Sequence, residues 1–410
     1  MKGQTPAIEA SPWFFHPPTY QPVISTTAEL RELASRVRES EWVALDTEAD
    51  SLHAYPEKLC LLQVGVPGGE YLVDPLADLH LEPLWEAMDD HSIIFHAADY
   101  DLRLLFRGHH FKPSRIFDTM LAARLAGEAR FGLNDALTTH LGVTLEKGSQ
   151  KANWGRRPLT PAMLDYALND VRYLFPLQQS LMKRLESLGR LEWHQQICNR
   201  LIRDCCQPER VDEDSIWRSK GHDKLDPLGL AVLRELWHWR EKDALRTGRP
   251  PFFILKHEQL AELSAMASET RSTRGLNLPH FLTSKRRAGL LDAIQRGLEV
   301  PEDQLPRPIR VHSRRMSRSE LDVSDRLAKV RDLNARELSI DPTLIASKAT
   351  LYALGRNDPD AWGALMPWQR DLLEKPTAWK PTSGSTSAQE TAVTAESDEE
   401  EFHPPLVGLD

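Results

Sequence analysis

Four carboxylates and one tyrosine, spread over about 125 positions, constrain this chain more tightly than its composition does. They are Asp46 and Glu48 in WVALDTEAD, Asp101 in IIFHAADYDL, and Tyr166 with Asp170 in YALNDVRYL. Each carboxylate stands where a regular element should end or begin. A fold that uses them together must bring a strand end and two helices to one place. Asp46 and Glu48 are two residues apart, which on a strand puts both side chains on one face. Tyr166 and Asp170 are four apart, which on a helix does the same. Asp101 opens a helix after a buried strand, and Asp99 competes with it for that place. Taken singly, each has an ordinary reading: turn chemistry at a strand end, a helix pair, a helix cap. Taken jointly, they can hold two divalent metal ions and place a phenol beside a water. That is the equipment for cutting a phosphodiester bond.

The surroundings predict an α/β unit over residues 21–210 that ends in a helical connection. Trp42–Asp46 reads as a short apolar strand, Leu59–Val66 as a second and Glu70–Val73 as a third. Pro67, Gly68 and Gly69 form the turn between the last two. Three early strands with short links imply an antiparallel meander. Ile93–His96 reads as a fourth strand, followed by a helix carrying Leu102, Leu104, Leu105 and Phe106. Further helices are expected at about 119–126, 133–141 and 161–187. No GxGxxG and no GxxxxGKS/T loop occurs, so no nucleotide cofactor is expected.

Beyond this unit the chain reads as all-helical. Residues 211–300 carry the apolar stripe of Leu230, Leu233, Leu236, Trp237 and Leu245, broken by Pro250 and Pro251. Residues 301–380 begin with a Pro- and Arg-rich stretch and continue with helix starts at SRSELD, DPTLIAS and MPWQRDLLE. Residues 1–20 read as a proline-rich arm, and 381–410 as a disordered acidic tail. The tail holds seven acidic residues and no Lys or Arg; setting those seven charges aside from the net −9 leaves −2 for the rest. Basic clusters can then still meet phosphates. The candidates are Arg156 and Arg157, and a stretch of Lys285, Arg286 and Arg287, then Arg307, Arg310, Arg314, Arg315 and Arg318. Four cysteines without metal spacing, no apolar run of membrane length and no secretory pattern at the N-terminus predict a cytoplasmic protein.

The segments LDTE, FHAADYDL and YALNDVRYL resemble the three exonuclease motifs of the DEDD superfamily, tyrosine subtype. NWGRRPLTPAMLDYALNDVRYL is especially similar to the corresponding run of the ribonuclease D family. The helical region at about 220–300 resembles a helicase-and-ribonuclease-D C-terminal (HRDC) domain, and 319–375 looks like a diverged second copy. The resemblance implies an α/β ribonuclease-H-like exonuclease domain followed by one or two all-α HRDC-like domains. It implies metal-dependent 3′–5′ removal of nucleotides from RNA, with 5′-monophosphates released and tRNA precursors as the expected partners. Asp46, Glu48, Asp101 and Asp170 would ligate two Mg²⁺ or Mn²⁺ ions, and Tyr166 would orient the water. Tyr55 and Gln63 also fit the first-motif region and, with Arg156 and Arg157, are candidates for substrate contact. A 3′–5′ DNA exonuclease and a catalytically silent RNA-binding scaffold remain as alternatives.

Overall fold

A computed structural model describes residues 23–146, 148–208, 212–308 and 315–374. The arm at 1–20, the acidic tail at 381–410, Arg310 and Arg314 lie outside the described residues. The chain opens with α1 (Thr27–Glu39), whose start is fixed by a capping box between Thr26 and Glu29. A five-stranded sheet follows: β1 (Val43–Ala49), β2 (Leu59–Val66), β3 (Gly69–Val73), then α2 (Glu82–Met88), β4 (Ser92–Phe95), α3 (Asp99–His109) and β5 (Arg115–Asp118). The spatial order is β3-β2-β1-β4-β5. The first three strands form the expected antiparallel meander, and β4 and β5 add in parallel to β1. Thus β1 is central, and its C-terminal end is where the two patterns diverge.

Helices cover both faces. Val43, Leu45, Leu62, Val64, Ile93 and Phe95 pack with α1, α2 and α3 on one face, joined there by α8 (Leu191–Cys205). The other face, with Ala44, Leu61, Leu72 and Ile94, is covered by α6 (Pro161–Arg172) and α7 (Leu174–Ser187). Between β5 and these lie α4 (Thr119–Ala126) and α5 (Leu133–Leu141). Because side chains alternate along a strand, β1 sends Val43, Leu45 and Thr47 one way and Ala44, Asp46 and Glu48 the other. Each fully buried leucine on these faces stabilises the layers by about 1.5–3 kcal/mol.

The structure departs from the expected pattern at several points. The helix expected over 161–187 is two helices, interrupted at Tyr173. Pro176 explains the break. Inside a continuous helix it would remove a hydrogen bond and clash with the preceding turn, whereas in the first turn of α7 it costs nothing. Strand β1 ends at Ala49, three residues further than expected, with a bulge between Glu48 and Ala49. Helices α1 and α2 and the four-residue β5 were not expected from the sequence.

The remaining helices are α9 (Pro227–Thr247), α10 (His257–Thr270), α11 (Ser284–Leu298), α12 (Arg318–Leu338), α13 (Pro342–Ile345), α14 (Lys348–Gly355) and α15 (Pro367–Glu374). Helices α9 to α11 enclose their own core around Leu230, Leu236, Leu260 and Ile294. Helices α12 to α15 do not: Ala335, Leu338, Ile345, Leu351 and Trp368 share one apolar cluster with Ala122, Leu125, Leu137, Leu177 and Leu181 of α4, α5 and α7. Trp193 and Trp368 stack across this seam at 4.7 Å, and the Arg190 guanidinium donates to Leu125 O at 2.6 Å and Leu338 O at 2.7 Å. No helix among the described residues is long and apolar enough to cross a membrane.

Gly127, with φ +93°, ends α4 directly against this seam, and a Cβ there would overlap the Ser339 carbonyl oxygen. Gly127→Ala is expected to cost about 1–3 kcal/mol from backbone strain alone. Chemical denaturation followed by tryptophan fluorescence checks this.

Candidate active site

Strand β1 carries Asp46 and Glu48 to the face under α6, and α6 presents Tyr166 and Asp170 back to them. Thr160 caps that helix, its hydroxyl accepting from Met163 N, and Pro161 opens it with a pre-set backbone angle. One carboxylate oxygen from each of Asp46, Glu48 and Asp170 can be chosen so that all three lie within 4.8 Å of one another. Asp101 approaches from the opposite layer. It is buried on α3, and its Oδ1 accepts a 2.5 Å hydrogen bond from the Thr47 hydroxyl, which points to that face of β1. Asp99, two residues earlier, is committed elsewhere: both its oxygens accept from Arg103, at 3.0 and 3.1 Å.

Burial and mutual repulsion dominate the electrostatics. Burial raises the Asp46 carboxyl well above the ordinary range, with the charges of Asp101, Asp170 and Glu48 adding to it. Burial, then Asp170 and Asp101, push Glu48 up to about 9. Burial raises Asp101 to about 7 against the Thr47 hydrogen bond, and Asp170 to about 7 against the hydrogen bond from Tyr166. The phenol of Tyr166 is itself pushed up by burial and by Asp170, Glu48 and Asp46. Among the described residues, no Lys, Arg or His ion-pairs with any of the four carboxylates. Hard oxygen donors crowded together without a cationic side chain fit a divalent cation.

The remaining candidates fare differently. Arg156 is exposed on the loop before α6. Arg157 is not available to a substrate phosphate. Its guanidinium donates to both oxygens of Asp74 at 2.6 Å, to Cys60 O at 2.6 Å, to Trp154 O at 2.7 Å and to Arg156 O at 2.8 Å. Those five bonds use all five donors and clamp the loop to the edge of the sheet. The Tyr55 hydroxyl donates to Glu241 of α9 at 2.6 Å, and Tyr55 N to Gly248 O, so Tyr55 ties the loop after β1 to the helical region. Gln63 lies directly opposite Asp46 on β2, fully buried, with neither side-chain atom partnered. A buried polar group left in that condition costs about 1–3 kcal/mol. In the basic stretch, Arg286 is engaged by Asp243 at 2.7 Å.

Sequence reasoning passed over Thr47, read only as turn chemistry, and Gly148. A Cβ at Gly148 would come within 2.0 Å of Tyr166 Cδ2, so this loop residue abuts the edge of the phenol ring. No spacing signal marks it: EKGSQK reads as an ordinary polar loop.

Comparison with known proteins gives a consistent set of likenesses. Residues 21–186 match a family model described as 3′–5′ exonuclease, and residues 229–273 match the HRDC domain. The chain is similar to the ribonuclease D of Desulfotalea psychrophila, 31% identical over 368 residues, covering 86% of this chain and 96% of the relative. The ribonuclease D of Gluconacetobacter diazotrophicus is 31% identical over 70% of this chain and 74% of its own. Among solved structures, a Bifidobacterium adolescentis protein matches with TM-score 0.72 at 25% identity, over 86% of this chain and 95% of its own. Escherichia coli RNase D, described as an exoribonuclease involved in structured RNA processing, matches with TM-score 0.65 at 25% identity, over 84% and 92%.

A carboxyl whose pKa is higher in the folded than in the unfolded chain holds a proton that the unfolded chain has already released. The stability of the metal-free protein that depends on this cluster is therefore fully present below about pH 4. It is lost as pH rises through about 7 and towards about 9, where Asp101, Asp170 and Glu48 must ionise in the fold. Asp46→Asn removes one of these charges. In EDTA at pH 8 it is expected to raise the melting temperature by about 3–5 °C, since 1 kcal/mol is worth about 2–4 °C in a domain of about 200 residues. At pH 4 the difference should vanish. Calorimetric melting at both pH values checks the sign.

Proposed function

We propose a substrate and a cation set for this chain, which belongs to the ribonuclease D family and is a 3′–5′ exoribonuclease. RNA is its substrate class; the proposed physiological targets are RNAs with 3′ extensions, tRNA precursors among them. Two divalent cations, Mg²⁺ or Mn²⁺, are proposed as cofactors. The convergence of Asp46, Glu48 and Asp170 from two elements is the single observation that carries this. The reading includes a cytoplasmic location and a division into an exonuclease domain at 21–210, an HRDC domain at 211–300 and a second HRDC-like region at 301–380.

In this reading Asp46, Glu48 and Asp170 bind cations from the α6 side of β1. Asp101, steadied by the Thr47 hydroxyl, completes the set from the α3 side. Cations held there would supply a lowered pKa at the attacking water and charge stabilisation at the departing 3′ oxygen. Tyr166, on the same face of α6 as Asp170, orients the attacking water through its hydroxyl. Gly148 leaves the space in which the ring lies. Arg156, exposed at the entrance loop, is the side chain proposed to meet substrate phosphates, and Tyr55 and Gln63 act here through their neighbours and not on RNA.

The test is degradation of a 5′-labelled tRNA precursor with a 3′ extension, beside a matched single-stranded DNA, with Mg²⁺, Mn²⁺ or EDTA. The expected result is a metal-dependent ladder shortening from the 3′ end of the RNA and stalling near the acceptor stem. A ladder on DNA alone would transfer the reading to a DNA exonuclease, and RNA binding without cleavage to a silent scaffold. Asp46→Asn and Tyr166→Phe should each lower kcat by about 10²-fold or more. Gly148→Ala should lower kcat by up to about 10²-fold through displacement of the phenol, with little change in melting temperature. Steady-state kinetics beside thermal melts separate these effects from unfolding.

A further inference from the structure

We propose that Gln63 is a positioning residue for Asp46, its carboxamide holding that carboxylate in place when the cluster carries a cation. The proposal rests on the cation site described above.

The observations come from the sheet. Gln63 and Asp46 are direct cross-strand partners on β2 and β1. Such partners share a face, with Cβ atoms about 4.5–5.5 Å apart. The face is the one under α6: Leu61 packs there with Ala167, and a Cβ on Gly65 would touch Val171. The neighbours of Gln63 along β2 on this side are therefore apolar or glycine, and Leu72 lies across from it on β3. A leucine would complete the layer. Instead the chain places there a carboxamide with no exposure to solvent and with Nε2 and Oε1 both unpartnered.

A buried amide with two donors and an acceptor left idle calls for a partner that becomes available in another state of the site. Asp46 is that partner. It faces Gln63 across the strand pair, and Glu48 and Asp170 crowd it on the same face. A carboxylate that holds a cation needs a donor that fixes its orientation. A lysine or arginine would supply one but would also neutralise the charge that attracts the cation. A carboxamide donates without adding charge. Partners of this kind behind a metal-binding carboxylate govern its geometry and basicity.

The experiment uses the full-length protein with Gln63→Met and, independently, Gln63→Leu, both apolar and of similar size. Three quantities are read: the melting temperature in EDTA, the Mn²⁺ affinity by calorimetry, and kcat and KM on a 5′-labelled RNA. The expected result is a melting temperature equal to or above wild type, because an idle polar group has been removed. Mn²⁺ affinity should weaken by about 10–100-fold, and kcat should fall with KM little changed. Wild-type Mn²⁺ affinity and kcat in either folded variant would overturn the proposal. A lower melting temperature in EDTA for both variants would overturn it as well, because Gln63 would then serve the fold. Should the wild-type protein itself bind no Mn²⁺, the cation site fails first and the role of Gln63 fails with it.

Discussion

Like charges crowded together and half-buried at the end of β1 are what the rest of the structure is arranged to tolerate. Asp46, Glu48 and Asp170 are close enough to repel, and partial burial limits the solvent that would screen the repulsion. A surface strand could not hold such a set, because side chains free to swing away would do so. Here the sheet is closed on both faces. Helix α6 covers one and α3 the other, so the carboxylates cannot separate without parting packed layers. The apolar layers are therefore what keeps the cluster together.

The supporting bonds follow the same logic. The loop before α6 must deliver that helix at a fixed height over β1, and Arg157 fixes it by spending every donor it has on the sheet edge and on the loop itself. The loop after β1 is held from outside, by Tyr55 reaching Glu241 and Gly248 in the helical region. Thr47, caught between Asp46 and Glu48 but facing the other way, joins the two layers by binding Asp101. Each of these residues is polar and contacts protein; together they set the distances at which the carboxylates stand.

Spacing made part of this legible in the sequence. A period of two told that Asp46 and Glu48 share a face, and a period of four told the same of Tyr166 and Asp170. The antiparallel meander was equally readable, because a Pro-Gly-Gly turn joined two apolar runs. Residues whose partners are remote in sequence were not readable. Arg157 looked like a phosphate ligand because nothing local shows that its acceptors lie 83 and 97 positions away, and Tyr55 finds its partner 186 positions on. Other misses were of signals present but unread, such as the capping box of α1 and Pro176 between α6 and α7. Strand β5 has four residues, too few for a period to establish itself.

The two helical additions differ in kind. Helices α9 to α11 close around their own core and touch the exonuclease region through polar bonds at Tyr55. Helices α12 to α15 have no separate interior: their leucines and Trp368 fill the same cluster as α4, α5 and α7. The first is a module with an interior of its own. The second is a wall of the catalytic body, and a chain that shed it would have to rebuild the surface of α4 and α7 as an exterior. Length variation among relatives should therefore fall on the α9 to α11 side of the molecule and spare the wall.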